Sequence, residues 1–245
     1  MFPSPFWAQR AGIRTASRRV TRLIRPLFRP EYAGMSGLPR SQRGDVIENT
    51  VTGERAIVLV GTADSGDGKV VCFMGVRPGG AVVGEHVHSS LTERFRVVSG
   101  RLGVRVNGAQ RSLGPDEELV VRPGVVHDWW NAGSEEAQVV VEIDPGRRFE
   151  LMISTLFGLA NDGLTNEKGM PHLLQAAVIA QEFSDVVQFV RPPLFLQRAL
   201  FGLLAPIGRA LGYRPYYERY MRPHGRVEVV PELLALVDEP LAPAA

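Results

Sequence analysis

The sequence predicts an all-β fold followed by an α-helical C-terminal extension, and three observations carry that expectation. Short runs rich in Val, Ile, Phe and Trp recur between residues 56 and 143, at the spacing of roughly 8–12 residues that marks a sandwich or barrel. Turn residues divide those runs. Past Pro145-Gly146 the apolar spacing lengthens to three and four residues, the period of a helix rather than a strand. Nothing helical interleaves the β-like runs, so an alternating strand–helix architecture is not expected.

The β-like runs cover residues 56–60, 70–76, 81–88, 94–98, 102–106, 118–121, 126–130 and 137–143. They are separated by Ser65-Gly66-Asp67-Gly68, Pro78-Gly79-Gly80, Ser99-Gly100, Asn107-Gly108, Pro123-Gly124 and Ala132-Gly133. Asn107-Gly108 predicts a tight hairpin, because the favoured two-residue turn needs positive φ at both central positions. In the extension, Phe149, Met152, Ile153, Leu156, Phe157 and Ala160 share one helical stripe, which Asn161-Asp162-Gly163 ends. Residues 172–190 continue in the same style until Arg191-Pro192-Pro193 breaks them. Residues 194–211 are strongly apolar, with Arg198 and Arg209 as the only charges and Pro206 as an expected kink or stop. That segment has two readings. It packs on the barrel or across a dimer interface, or it lies in a membrane surface with Arg198, Arg209, Arg214 and the nearby tyrosines at headgroup level. Its broad apolar faces favour the first.

A chain of 245 residues suits one domain with an appendage. With 44% hydrophobic and 22% charged residues, wholesale disorder is excluded. The lone cysteine, Cys72, excludes an intrachain disulfide and any zinc site built on two thiolates. No apolar run reaches the roughly 18 residues of a spanning helix. Residues 1–43 hold nine arginines against one acid, Glu31, and the remainder holds 19 basic against 25 acidic residues. The body is therefore mildly acidic, and no nucleic-acid partner is expected. The basic leader lacks the apolar core of a secretory signal. Two of its readings are a targeting leader and a basic arm that touches anionic membrane or nucleic acid. The reading favoured here is a dispensable upstream extension, with Met35 as the start of a cytoplasmic protein. The expected organisation is a leader at 1–43, a barrel at 44–148 and a helical extension with a flexible tail at 149–245.

Within the β region lie His86-Val87-His88, Glu93 and His127. Residues two apart on a strand share a face, so His86 and His88 point the same way and Val87 does not. Glu93 follows a short connection and can face back toward the pair. Strand pairing can bring His127 alongside. A lone His-x-His says little; the combination of three imidazoles with one carboxylate suits a borderline divalent metal and leaves positions for water or substrate. The same alternation places Phe95 and Val97 with Glu93, Trp129 and Asn131 with His127, and Val82 and Gly84 with His86. The expected substrate-binding wall is Val82, Phe95, Val97, Trp129 and Asn131, and it is largely apolar. Cys72 and Met74 share one face of their strand, inner or outer. No phosphate-binding glycine loop, nucleophile elbow or second carboxylate pair for glycoside chemistry is present. His172 and His224 are read as capping or surface residues.

These residues resemble the cupin family. Gly80, His86-Val87-His88, Glu93 and Gly100 fall at every fixed position of that family's first motif. Gly124, His127 and Asn131 fall at the glycine, histidine and asparagine of its second. Arg122 stands where the second motif has its proline, and Asp116 where it has its leading glycine; both bear on turns rather than ligands. The resemblance spans about residues 46–148. It implies a double-stranded β-helix, a jelly-roll barrel. It also implies one divalent metal ion, commonly iron, manganese, nickel, copper or zinc, held by His86, His88, Glu93 and His127. The layout with a helical extension is similar to bacterial cupin-domain proteins. The expected function is a metal-dependent oxygenase, a dioxygenase type of oxidoreductase, acting on a small, largely apolar organic molecule, with Glu93 as a catalytic base where it ligates weakly. A metal-dependent isomerase or cyclase, and a non-catalytic module binding a small molecule or metal, remain as alternatives. The expected partners are the small-molecule substrate and a second copy in a homodimer.

Overall fold

The computed structural model describes residues 37–81 and 84–238. Val82 and residues 1–36 of the leader therefore lie outside the described residues. The chain runs through β1 (Asp45–Asn49), β2 (Glu54–Val60), a single-turn helix α1 (Thr62–Ser65), β3 (Val70–Val76), β4 (His86–Val87), β5 (Thr92–Ser99), β6 (Leu102–Val106), β7 (Ala109–Leu113), β8 (Glu118–Val121), β9 (His127–Asn131) and β10 (Ala137–Asp144). Next come α2 (Arg147–Asn161), α3 (Leu173–Glu182), β11 (Gln188–Phe189), α4 (Leu194–Ala210), β12 (Gly225–Arg226) and α5 (Pro231–Asp238). Two antiparallel sheets form the jelly roll. One has the order β12-β1-β2-β3-β10-β5-β8, the other β11-β4-β9-β6-β7.

The apolar runs at β2, β3 and β10 show little alternation because both faces of that sheet are covered. Ala56, Val58, Val70, Cys72, Met74, Val141 and Ile143 face a cavity inside the barrel. Leu59, Val71 and Val140 point the other way and are buried beneath Leu233, Leu236 and Val237 of α5. Arg94 and Arg96 point away from the cavity, as alternation requires. Arg94 faces Glu142 at 3.7 Å. Arg96 is buried beside α5 and donates to the Leu236 carbonyl.

The architecture is mixed rather than strictly all-β. A short helix, α1, does interrupt the β region, and two strands of the extension join the barrel sheets: β11 pairs with β4 and β12 with β1. The run expected at 81–88 contracts to His86–Val87, with Ala81 making an isolated bridge to Trp130. Gly84, at φ +81°, takes the left-handed conformation that glycine tolerates and breaks the run. Two further strands carry no readable pattern. β7 exposes four of its five residues, and β1 buries the polar Asp45 and Asn49.

Residues 38–43, placed with the leader on composition, are bonded into the body. Ser41 donates through its amide (3.0 Å) and hydroxyl (2.9 Å) to Glu150, and Arg147 donates to the carbonyls of Pro39 (3.0 Å) and Leu38 (3.2 Å). The extension is clamped by Arg148, which forks onto Asp185 at 2.7 and 2.9 Å and donates to the Glu182 carbonyl at 2.6 Å. Helix α4 continues past Pro206, which therefore does not stop it. The bond lost there would have reached the Gly202 carbonyl, and both residues are exposed, so that carbonyl can turn to water. Leu196, Leu200, Leu203, Ile207 and Leu211 stand exposed along one stripe of this helix. Among the described residues, no helix is long and apolar enough to cross a membrane.

Candidate metal centre

Three strands bring the four expected ligands together. His86 on β4 lies directly opposite His127 on β9. His88 follows two residues on, and Glu93 sits near the start of β5, opposite Val121 on β8 and Ile143 on β10. One ligand atom from each of the four residues lies within 4.8 Å of the others, and all four side chains are buried. The rings of His86 and His88 pack face to edge with centroids 4.9 Å apart, and His127 is tilted against both, at 4.3 Å from His86 and 5.0 Å from His88.

Each imidazole has its Nδ1 against a backbone carbonyl: Gly84 at 3.1 Å for His86, Val186 at 2.7 Å for His88 and Val125 at 3.1 Å for His127. An Nδ1 that donates a proton there leaves Nε2 as the lone-pair atom. The Nε2 atoms of His88 and His127 lie 3.3 and 3.0 Å from the same Glu93 oxygen, Oε2. Neutral imidazoles arranged this way direct lone pairs at a carboxylate. Only a cation, a proton or a metal ion, reconciles that cluster.

The charge states follow from the same contacts. Burial lowers His86 to about 4, and the neighbouring His127 and His88 add to that; Glu93 pulls the other way and loses. His86 is therefore a neutral donor at physiological pH. Burial works against a charged His88 as well, but its hydrogen bond to Glu93 and that carboxylate's charge raise it above the ordinary value. Burial would raise Glu93, but the hydrogen bonds from His127 and His88 hold it down at about 2. An ionised carboxylate among imidazoles is the donor set a hard-to-borderline divalent ion takes up.

The extension completes this site, which the sequence reading did not foresee. It supplies the Val186 carbonyl that orients His88. Phe149 and Phe189 stand edge-on to His88 and His86, with ring centroids 6.4 and 6.5 Å away.

A cavity of about 200 Å³ opens beside the centre, reached by His86, His88 and Glu93. Trp129 lines it, and Phe95 packs behind Trp129 with centroids 5.8 Å apart. Phe95 and Val97 are fully buried and do not line the cavity. Asn131 ties a turn instead: its amide donates to the carbonyls of Val76 and Glu135, both at 2.7 Å, and its oxygen accepts from the Gly133 amide at 2.8 Å. Trp130 points outward from the same strand, over Gly103, where any Cβ would meet the indole ring at 2.3 Å. Cys72 and Met74 both face inward. Burial, helped by the charge of Glu150, pushes the Cys72 thiol up to about 12, so it is no nucleophile. His172 accepts from the Leu174 amide at the start of α3, and His224 contacts Asn161 and the Glu48 amide.

Two further carboxyls line the cavity, Glu54 and Glu150. Neither was singled out from the sequence. Glu54 shares parity with Ala56 and Val58, so the signal is present, but the apolar pattern starts only at Ala56, two residues into the strand.

Residues 72–143 match the family model described as Cupin domain. A probable oxidoreductase, patJ, of Penicillium expansum is 28% identical over 149 residues, covering 55% of this chain and 44% of that protein. The tetracenomycin polyketide synthase protein TcmJ of Streptomyces glaucescens is 39% identical over 66 residues, covering 27% of this chain and 44% of that protein. The chain thus spans less than half the length of these two curated relatives. Among solved structures, an RmlC-like cupin from Shewanella frigidimarina aligns with a TM-score of 0.38 at 19% identity, over 45% of this chain and 96% of that one.

Proposed function

We propose that this chain, which carries a cupin domain, is a mononuclear metal enzyme that oxidises a small, largely apolar organic molecule with dioxygen. The observation that carries the reading is the meeting of four buried donors within 4.8 Å of one another, three of them also on the wall of an apolar cavity. A relative named as a probable oxidoreductase supports redox chemistry, and one named as a polyketide synthase protein supports an organic substrate.

His86, His88, Glu93 and His127 would hold the ion, and the bound metal supplies redox and Lewis-acid chemistry at the open positions. The residues around it do the rest. Backbone carbonyls at Gly84, Val186 and Val125 fix each ring so that Nε2 faces inward. Trp129, Met74, Val141 and Ile143 exclude water and take up the apolar body of the substrate. Glu93 Oε1 has no hydrogen bond to the imidazoles. It can hold a proton leaving the substrate while Oε2 stays among the rings.

The test is oxygen consumption. Protein purified without oxygen and reconstituted with Fe(II) is expected to consume dioxygen when given apolar phenolic or polyketide-like candidates, and to do nothing without them. Tight binding of such molecules with no turnover under any metal would assign a non-catalytic binding module instead. For quaternary structure, we propose that the exposed leucine stripe of α4 packs against a second copy. Leu203→Glu is then expected to shift the protein from dimer to monomer in sedimentation.

A further inference from the structure

The cavity has a second polar pole, and it lies away from the metal centre. Glu54 pairs with Val76, whereas Glu93 shares the rung of Ile143 and Val70. Six residues separate Val70 from Val76 along β3, about 20 Å of strand. Glu54 is 8% exposed and lines the same cavity as His86, His88 and Glu93. Its one side-chain partner among the described residues is the Thr52 hydroxyl, which donates to Oε2. Oε1 has no hydrogen-bond partner there and keeps some accessible surface, on a residue that lines the cavity. Among the described residues no cation compensates it: burial and the Thr52 hydroxyl are the influences acting on the group. Ile47, Ala56, Met74 and Met170 line the cavity alongside it, and Asn49, its cross-strand partner, is the neighbouring polar residue with Thr52. Gly169, at φ +75°, closes this end so tightly that a Cβ would meet the Thr52 methyl at 2.9 Å.

A carboxyl in such a place costs stability, a cost that ligand recognition accounts for. We infer that Glu54 is the far-end recognition group for the substrate, hydrogen-bonding a neutral hydroxyl, alcoholic or phenolic, carried by an elongated apolar molecule. The inference rests on the enzymatic reading of the cavity and names the chemistry of its substrate. A hydroxyl suits the group because it can both accept from a carboxylic acid and donate to a carboxylate. Burial raises Glu54 to about 7, so both forms occur near neutrality. An ammonium would have to be stripped of water along apolar walls, which disfavours an amine.

The test uses three rod-shaped probes of similar size: 4-phenylphenol, 4-methylbiphenyl and 4-aminomethylbiphenyl. Their affinities are measured by equilibrium dialysis on the full chain, wild type and with Glu54→Gln, Glu54→Leu or His86→Ala, with and without Fe(II). The wild type is expected to prefer the phenol over the methyl compound by about tenfold, the worth of one buried hydrogen bond. Glu54→Leu should abolish that preference while keeping methylbiphenyl affinity, which also shows that the variant is folded. Glu54→Gln should keep part of it, and His86→Ala should keep all of it. A preference lost in His86→Ala but retained in Glu54→Leu would move recognition to the metal and overturn the inference while sparing the metal reading. Preference for the amine, equal affinities in the wild type, or no binding of any probe would also overturn it.

Discussion

Two ends of one cavity handle buried carboxylates in opposite ways, and a third glutamate on its wall sets the scale. At the metal end, Glu93 is surrounded by imidazoles and held ionised. Glu150, on α2, is bonded by Ser41, by the Thr62 hydroxyl at 2.5 Å and by Arg147 at 2.9 Å. Glu54 has one hydroxyl. All three side chains are about equally hidden from solvent. Burial alone therefore does not mark function; what distinguishes the three is how completely their hydrogen-bonding capacity is met. Glu150 is satisfied and structural. Glu93 is satisfied only if a cation joins it. Glu54 is left open toward the cavity.

The largest effect that sharpens this contrast is loss of metal. His86→Ala and His127→Ala are each expected to fall from about one metal ion per chain to almost none by elemental analysis, with an unchanged far-ultraviolet circular dichroism spectrum. Full metal retention in both would break the assignment.

Next in size is Glu150→Gln. It weakens a buried network that holds residues 38–41 to α2, and is expected to lower unfolding free energy by about 3 kcal/mol in urea titrations without changing metal content. Unchanged stability would show that the network is idle.

Glu54→Gln should act with the opposite sign, and only at higher pH. The folded carboxyl sits at about 7 against an ordinary 4.5, so folding holds its proton more tightly than the unfolded chain does. Stability attributable to Glu54 is undiminished below pH 4.5, falls as pH rises through that window, and is lowest above 7. The full gap of about two and a half pH units is worth up to about 3 kcal/mol. The variant should match the wild type at pH 4 and exceed it at pH 8. A difference of the same size at both values would contradict the assigned environment.

The smallest effects belong to the remaining histidines. His172→Ala removes a helix cap, which costs about 1 kcal/mol, and His224→Ala touches only surface contacts. Both should keep the full complement of metal, and its loss in either would enlarge the ligand set.

Much of the metal end was legible in the chain. His86 and His88 share parity, and glycine and proline turns bound the strands that bring His127 and Glu93 to them. The far end was not legible, for physical reasons. Glu54 belongs to a strand whose start carries charged residues, so hydrophobic pattern alone placed that start at Ala56. The face of Cys72 and Met74 was undecidable because α5 buries the opposite face of the sheet as well, which erases the alternation. The role of the extension was hidden for a different reason. It acts on His88 through the Val186 carbonyl, a backbone atom that side-chain identity does not report. Asn131 falls at its expected place in the second motif, but its amide is spent on backbone groups rather than on the cavity.

X-ray absorption at the iron edge of protein loaded with one equivalent of Fe(II) tests the central claim most directly. The account predicts a shell of nitrogen and oxygen donors that includes three imidazoles, reduced to two in His127→Ala if any metal is retained. A spectrum without imidazole scattering, or one left unchanged by that substitution, would contradict it.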